Sequence, residues 1–178
     1  MPPTYDPPVT DADPLRSDLA ASSEYVPAQY ALSAVVYAER GDEILLLQRA
    51  EGSAMAGQWF LPGGMVEPGE LPEEGARREL LEESGVRIDG DLEIIGCYPM
   101  RVYGYDTLQI SYRGRVAAGD VTVSHEHDGA RWAKASDMRA LLTDEVIAGM
   151  ASGREDVARL LGHIRTDLDR YLARVGSA

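Results

Sequence analysis

The sequence predicts an α/β protein, and three observations support that prediction. Two aliphatic and β-branched runs, ALSAVVY and EILLLQ, are typical of strands. A glutamate-rich segment with helical signals follows them, and two further strand-like segments come after it. The chain then closes with an amphipathic helical pattern. Its 178 residues are enough for one domain with its own core and short appendages.

The first two strands are expected to form an antiparallel hairpin. Residues 39–42, ERGD, separate them and have the chemistry of a hairpin turn. Small residues at 50–57 then lead into a brief apolar run at 58–61, which the PGG of residues 62–64 interrupts. We therefore expect a short extended piece that ends in a glycine loop.

The glutamate-rich helix is predicted to begin after Glu70. Pro72 is tolerated in a first turn, and Glu73 and Glu74 lie near the positive end of the helix dipole. Gly85 is the expected helix end, because glycine readily adopts the left-handed conformation found after many helices.

The second half of the chain supplies two more strands and two more helices. Residues 92–97 and 107–116 are predicted strands, with a loop or hairpin tip between them. After the polar loop SHEHDG, Ser136 is the expected N-cap of a helix that runs to about Leu142. The final helix is predicted from 154 to 175, where apolar residues recur at helical spacing: Val157, Leu160, Leu161, Ile164, Leu168, Tyr171, Leu172 and Val175.

Composition limits the classes of partner and compartment. Thirty acidic against 17 basic residues give a net charge of −13, so neither nucleic acid nor an anionic membrane is an expected partner. Cys97 is the single cysteine, which excludes an internal disulfide and a multi-cysteine zinc site and suits the cytoplasm. We expect a poorly ordered acidic, Pro-rich arm at 1–25, the domain at 26–150 and a C-terminal helical extension at 151–178.

Negative charge is concentrated in residues 64–86. This segment contains seven glutamates and two arginines, so its net charge is −5. On a helix, Glu79, Glu82 and Glu83 lie within about 100° of one another and form one carboxylate cluster. Oxygen ligands suit Mg²⁺, with Mn²⁺ as a substitute, better than zinc. Such a metal would stabilise the charge that builds when water attacks a pyrophosphate. The alternative is a solvated acidic helix, which leaves the regular spacing unexplained.

The segment GMVEPGELPEEGARRELLEESGV, residues 64–86, resembles the Nudix box. LLLQR, GQWFLPGG and EHDGARW also occur in the order usual for the Nudix hydrolase family, so the resemblance covers about residues 29–142. It implies an α/β/α sandwich with a mixed β-sheet. It also implies hydrolysis of a nucleoside diphosphate linked to another moiety: a nucleoside triphosphate, a nucleotide sugar such as ADP-ribose, or a dinucleoside polyphosphate.

The resemblance assigns roles to the box residues. Glu79, Glu82 and Glu83 match the metal-binding glutamates, and the Gly64 carbonyl is a further candidate ligand. Two other residues, Arg78 and Glu70, match a supporting pair. Arg78 also lies four residues before Glu82, from where it can orient a glutamate by a charge-assisted hydrogen bond.

The general base is left open between Glu79 and a residue on a later loop. Glu126, in SHEHDG, is the preferred loop candidate, and His127 is the second. The alternative is that this loop is simply solvated. Arg49, Tyr103 and His127 are candidate contacts for a nucleotide substrate: Arg49 belongs to LLLQR, and Tyr103 resembles a tyrosine of diadenosine-polyphosphate-cleaving members.

The sequence leaves two pairs of alternatives. The apolar stripe of the final helix must be covered, either by the domain itself or by a second copy in a homodimer. A nucleotide-sensing Nudix domain without turnover is the alternative to an enzyme. The intact glutamates argue against it.

Overall fold

The computed structural model describes residues 28–53, 55–102, 104–117 and 119–176. The predicted arm at 1–25 and the candidate Tyr103 lie outside the described residues. The strands are β1 Ala31–Arg40, β2 Glu43–Arg49, β3 Trp59–Phe60, β4 Gly63–Met65, β5 Glu93–Val102, β6 Tyr105–Arg115 and β7 His127–Ala133. The helices are α1 Pro72–Ser84, α2 Ala135–Leu141, α3 Asp144–Ala151 and α4 Glu155–Val175.

A mixed β-sheet between helices confirms the predicted α/β/α sandwich. Strand β1 runs parallel to β6, and β5 pairs antiparallel with the far side of β6. On its other side β1 pairs with β4 along its first half and with β2 only at the hairpin end. Strand β2 pairs in turn with β3 and β7. The short strand β4 therefore occupies the place beside β1 from which β2 diverges.

Each face of the sheet has its own apolar core. Helix α1 covers one face, where Ala76 and Leu80 pack against Ala34 and Val36. Helices α2, α3 and α4 cover the other face, where the side chains of Tyr37, Ile44 and Leu46 are buried. This alternation follows from strand geometry, because successive residues of β1 point to opposite faces.

Helix α1 begins and ends as the sequence predicts. Pro72 occupies the first turn, and the Glu74 carboxylate accepts a hydrogen bond of 2.9 Å from the Leu71 N–H before it. Gly85 ends the helix with φ of 70° and donates its N–H to Leu81 O. Local chemistry thus places both ends of the helix that carries the glutamates.

Four details differ from the sequence predictions. Residues 63–65 form β4 rather than a glycine loop, because their backbone pairs with β1. Strand β5 continues through Pro99 to residue 102, which an edge strand tolerates because one side of its ladder needs no N–H donor. The N-cap of α2 is Lys134, not Ser136, since buried Ala135 already belongs to the helix. Helix α3 was not predicted, and Thr143 caps it by accepting from Val146 N–H.

The final helix folds back on its own domain. Its apolar stripe buries Val157, Leu161, Leu168 and Tyr171, and the Tyr171 ring stacks on Tyr37 with centroids 4.4 Å apart. The apolar stripe of α4 is therefore covered within the chain. The homodimer stays a prediction, and this stripe does not support it. In the part of the chain that the structure describes, no helix is long and apolar enough to cross a membrane.

Candidate active site

Arg78 is the centre of a charged network at one side of α1. Its guanidinium donates to both carboxylate oxygens of Glu70, at 2.9 and 3.0 Å. One of its terminal nitrogens also lies 2.9 Å from Glu79 Oε1 and 3.2 Å from Glu82 Oε2. A further donation at 3.0 Å reaches the Met65 carbonyl of β4. Arg78 therefore ties the glutamate helix to the loop and strand before it, the arrangement expected of the Arg78–Glu70 pair.

Glu70 is fixed from two directions. Besides Arg78, the Glu67 N–H donates to its Oε2 at 2.9 Å. The hydrogen bonds from Arg78 and from the backbone lower the pKa of Glu70 below its usual value. Glu70 is thus a permanent anion, which makes it suited to hold Arg78 rather than to move protons.

Glu83 is separated from the Arg78 network and lies deeper. It is 6% exposed, and its Oε2 accepts a hydrogen bond of 2.8 Å from the Gly63 N–H. Its Oε1 lies 3.6 Å from Nε2 of buried His127. Burial, with a smaller contribution from the neighbouring charge of Glu79, raises the pKa of Glu83 to about 7, although the hydrogen bond from Gly63 acts in the opposite direction.

Glu79 is half-buried between the Arg78 network and Glu83. Burial raises its pKa, although the hydrogen bond from Arg78 acts in the opposite direction. The Gly64 backbone lies directly against it: a Cβ at position 64 would stand 2.6 Å from the carboxyl carbon of Glu79. Glycine at 64 is therefore required for this close approach, and the strand β4 and the helix α1 meet at that point.

The loop before β7 brings two more predicted residues, Glu126 and His127, close to the end of α1. Ser124 N–H donates to the Glu83 carbonyl at 3.0 Å, which ties the loop to the end of α1. Glu126 lies 3.7 Å from Arg49 and its side chain is about half exposed. His127, in contrast, is 6% exposed, and burial lowers its pKa. A neutral imidazole is thus present next to Glu83. The alternative that the loop side chains are simply solvated is therefore wrong for His127.

The sequence of this domain matches a known family model. The NUDIX domain model matches residues 27–151. The chain belongs to the Nudix hydrolase family. Among its relatives is the MutT-like protein of Streptomyces ambofaciens, 33% identical over 67% of this chain and 68% of that protein. The nucleoside triphosphatase NudI of Klebsiella pneumoniae is 36% identical over 56% of this chain and 78% of that protein.

A solved structure agrees with this assignment. The MutT protein of Methanosarcina mazei is 30% identical, with a TM-score of 0.53 over 80% of this chain and 98% of that protein. Not all relatives have the same length: the chain spans 30% and 40% of two longer ones. The match therefore defines a Nudix domain and its fold.

Helix α1, which carries Glu79, Glu82 and Glu83, offers the type of ligand that a hard divalent cation requires. The candidate ligands are carboxylate oxygens of α1 and the Gly64 carbonyl of β4, without sulfur or nitrogen. Among the described residues, no three acidic, His or Cys side chains converge closely enough to hold an ion alone. Glu79 and Glu82 are drawn towards Arg78, whereas Glu83 turns towards Gly63. This set fits Mg²⁺, which is commonly bound by one or two carboxylates together with water and substrate phosphates.

A cavity of about 220 Å³ adjoins Glu83. Arg49, Glu83 and His127 line one part of it, so two of the three predicted substrate contacts border the same space. Among the cavity residues that the sequence did not predict are Gln109 of β6 and Asp167 of α4. Asp167 did leave a signal, because it interrupts an apolar stripe three residues after Ile164. For Gln109 the alternating strand pattern contains no such signal.

Proposed function

We propose that the protein hydrolyses a pyrophosphate bond in a nucleoside diphosphate linked to another moiety, in a Mg²⁺-dependent reaction. Candidate substrates are nucleoside triphosphates, nucleotide sugars such as ADP-ribose, and dinucleoside polyphosphates. The name of the Klebsiella relative, a nucleoside triphosphatase, favours the first of these. The observation that carries the proposal is the single network in which Arg78 holds Glu70, Glu79 and Glu82 beside buried Glu83.

The metal ligands in this proposal are Glu79, Glu82, Glu83 and the Gly64 carbonyl. Mg²⁺, or Mn²⁺ in its place, supplies stabilisation of the negative charge on the phosphate oxygens and lowers the pKa of water. The Arg78–Glu70 pair orients the carboxylates, since its hydrogen bonds fix them before substrate arrives.

Arg49 is the proposed phosphate contact. Its guanidinium borders the cavity next to the glutamates, and guanidinium groups match phosphate oxygens in geometry and charge. Its present partner, Glu126, is 3.7 Å away and exposed, so the pair is loose enough to exchange for substrate.

Three residues remain as candidates for the general base: Glu79, Glu126 and, as the second loop candidate, buried His127. Glu79 is half-buried and burial raises its pKa, which favours uptake of a proton, but one of its oxygens is engaged by Arg78. Glu126 is solvent-exposed on the loop and can reorient once it leaves Arg49. The kcat values of Glu126→Gln and His127→Gln separate them, because loss of the base lowers kcat whereas loss of a bystander does not. Unchanged kcat in both variants would leave Glu79, for which Glu79→Gln alone is not decisive because Glu79 is also a proposed metal ligand.

The decisive experiment is a substrate panel with a matched pair of variants. The three substrate classes are incubated with Mg²⁺ and the products are identified, for the natural sequence, Glu83→Gln and Glu73→Gln. Glu73 lies on the same helix but faces Arg77 and solvent, so it controls for charge removal. We expect turnover that Glu83→Gln abolishes and Glu73→Gln preserves. Nucleotide binding without any metal-dependent product would instead establish the sensor alternative.

A further inference from the structure

The cavity beside Glu83 extends under the C-terminal helix α4. Besides Arg49, Glu83 and His127, its lining includes Leu160, Ile164 and Asp167 of α4. Its volume of about 220 Å³ is below the roughly 300–1,000 Å³ of sites that enclose a whole small ligand. The cavity therefore suits one part of a nucleotide, such as a planar base, whose phosphates would lie outside it near the glutamates.

Asp167 is a buried carboxylate with one oxygen unused. The residue is 2% exposed, and its Oδ2 accepts a hydrogen bond of 3.1 Å from the Tyr37 hydroxyl. Its Oδ1 has no hydrogen-bond partner among the described residues. A buried charge with an unpaired oxygen is costly, so its placement on the cavity wall calls for a donor from a ligand.

The same layer contains further buried polar atoms without partners. They are the hydroxyl groups of Ser33, Tyr98 and Ser111, and together with Asp167 Oδ1 they are all such side-chain atoms found in the described part of the chain. Register pairing aligns Ser33, Gln109 and Tyr98 across β1, β6 and β5. The sheet face under α4 is thus more polar than an ordinary core.

We propose that the cavity under α4 receives the guanine base of a nucleotide substrate, and that Asp167 determines specificity by accepting hydrogen bonds from the N–H edge of that base. This inference rests on the proposed function and adds the base that the site selects. Asp167 lies beyond residues 27–151 that match the family model, so the C-terminal extension supplies a contact that the matched domain lacks.

Guanine fits a carboxylate better than adenine or cytosine does. It presents a ring N–H and an exocyclic amino group side by side, and both can donate to Asp167, whose Oδ1 is free and whose Oδ2 keeps a second lone pair beside the one that Tyr37 uses. Adenine and cytosine place a ring nitrogen acceptor beside their amino group, and this lone pair would face the carboxylate. Gln109 lines the same cavity, and its amide can donate to the guanine carbonyl oxygen.

The ionisation of Asp167 is compatible with this role. Burial raises its pKa to about 6, with the Tyr37 hydrogen bond acting in the opposite direction. The carboxyl group is therefore mostly ionised above pH 7 and acts as an acceptor only.

The test compares base preference in two isosteric variants of the full chain. We would measure kcat and KM for GTP, ITP, ATP and CTP with Mg²⁺ in the natural sequence, Asp167→Asn and Asp169→Asn. Asp169 lies on the exposed side of the same helix and pairs with Arg139, so it is the matched control. ITP lacks the exocyclic amino group and isolates that contact.

We expect the natural sequence to prefer GTP over ITP and ATP. Asp167→Asn should lower kcat/KM for GTP by about 10- to 100-fold, mainly through KM, with a much smaller change for ATP and CTP. Asp169→Asn should leave the order of preference unchanged. An Asp167→Asn enzyme with unaltered base preference would overturn the inference.

Binding measurements separate this inference from the proposed function. Calorimetric titration with GMP and AMP reports base recognition without turnover. If no substrate is hydrolysed but Asp167→Asn selectively weakens GMP binding, the proposed function fails and the base assignment stands. Ile164→Trp, which fills the cavity from α4, should abolish GMP binding in a protein with an intact thermal unfolding transition; unchanged binding would place the base elsewhere.

Discussion

At the scale of single residues, Arg78 does more than balance charge. Its planar fork contacts Glu70 twice, Glu79 and Glu82 once each, and the Met65 carbonyl. Five donations from one side chain use the whole donor capacity of a guanidinium, which an ammonium group cannot reproduce. The geometry of the carboxylates therefore depends on the shape of this side chain and not only on its charge.

Arg78→Lys should lower kcat by about 10- to 100-fold, because loss of an orienting contact typically costs that much at a metal site. The adjacent substitution Arg77→Lys is the control, since Arg77 contacts exposed Glu73 and the Gly90 carbonyl. Steady-state kinetics at saturating Mg²⁺ give the comparison. Equal rates for both variants would show that charge alone suffices at position 78.

At the scale of elements, the short strand β4 connects the sheet to the glutamate helix. Gly63 donates its N–H to Glu83, and Gly64 lies against Glu79. The two glycines are required for different reasons. Gly63 has φ of 146°, and a Cβ there would lie 2.2 Å from the Ala34 carbonyl oxygen. Gly64 faces only the end of a flexible side chain.

Alanine substitutions at these two glycines should therefore affect different properties, stability at position 63 and kcat at position 64. Gly63→Ala should destabilise the fold by about 2 kcal/mol or more, through strain and a backbone clash. Gly64→Ala should leave the unfolding midpoint nearly unchanged and reduce kcat, because Glu79 must move. Urea unfolding and kinetics on both variants test this, and the opposite pattern would contradict the role given to β4.

Helix α4 is an element whose main contribution is burial. Leu168 is fully buried in the core that includes Tyr37 and Tyr171. Leu168→Ala should cost about 2–5 kcal/mol of unfolding free energy. Leu141→Ala is the control, since that leucine is 61% exposed. If denaturant unfolding gave equal losses for both, α4 would not be packed on the domain as described.

At the scale of the whole molecule, pH should change stability through Asp167. Its folded pKa of about 6 is above the ordinary value of 3.8. The folded state therefore holds the proton more tightly, and the stability contribution is full below about pH 4 and is lost as pH rises through 6. The loss is on the order of 2–3 kcal/mol.

Asp167→Asn removes this titration. The difference in unfolding free energy between the variant and the natural sequence should grow in favour of the variant from pH 4 to pH 7. Urea unfolding at four pH values measures it, and subtraction cancels the contributions of other titrating groups. A difference that is constant with pH would show that Asp167 has an ordinary pKa.

Local chemistry explains which elements were predictable. The ends of α1 follow from Pro72 and Gly85, and the hairpin between β1 and β2 follows from its turn residues. In contrast, β4 is only three residues long and exists because β1 offers it a partner. The continuation of β5 through Pro99 likewise depends on its edge position, which is a property of the sheet.

The α/β class, the family resemblance and the carboxylate helix follow from the sequence alone, because helix caps, strand alternation and the spacing of Glu79, Glu82 and Glu83 are all local. How distant residues meet depends on the tertiary structure. It placed His127 beside Glu83, folded α4 over the sheet and left Asp167 at the cavity wall. Such contacts join residues far apart in the chain, and they depend on how layers pack rather than on any neighbouring residue.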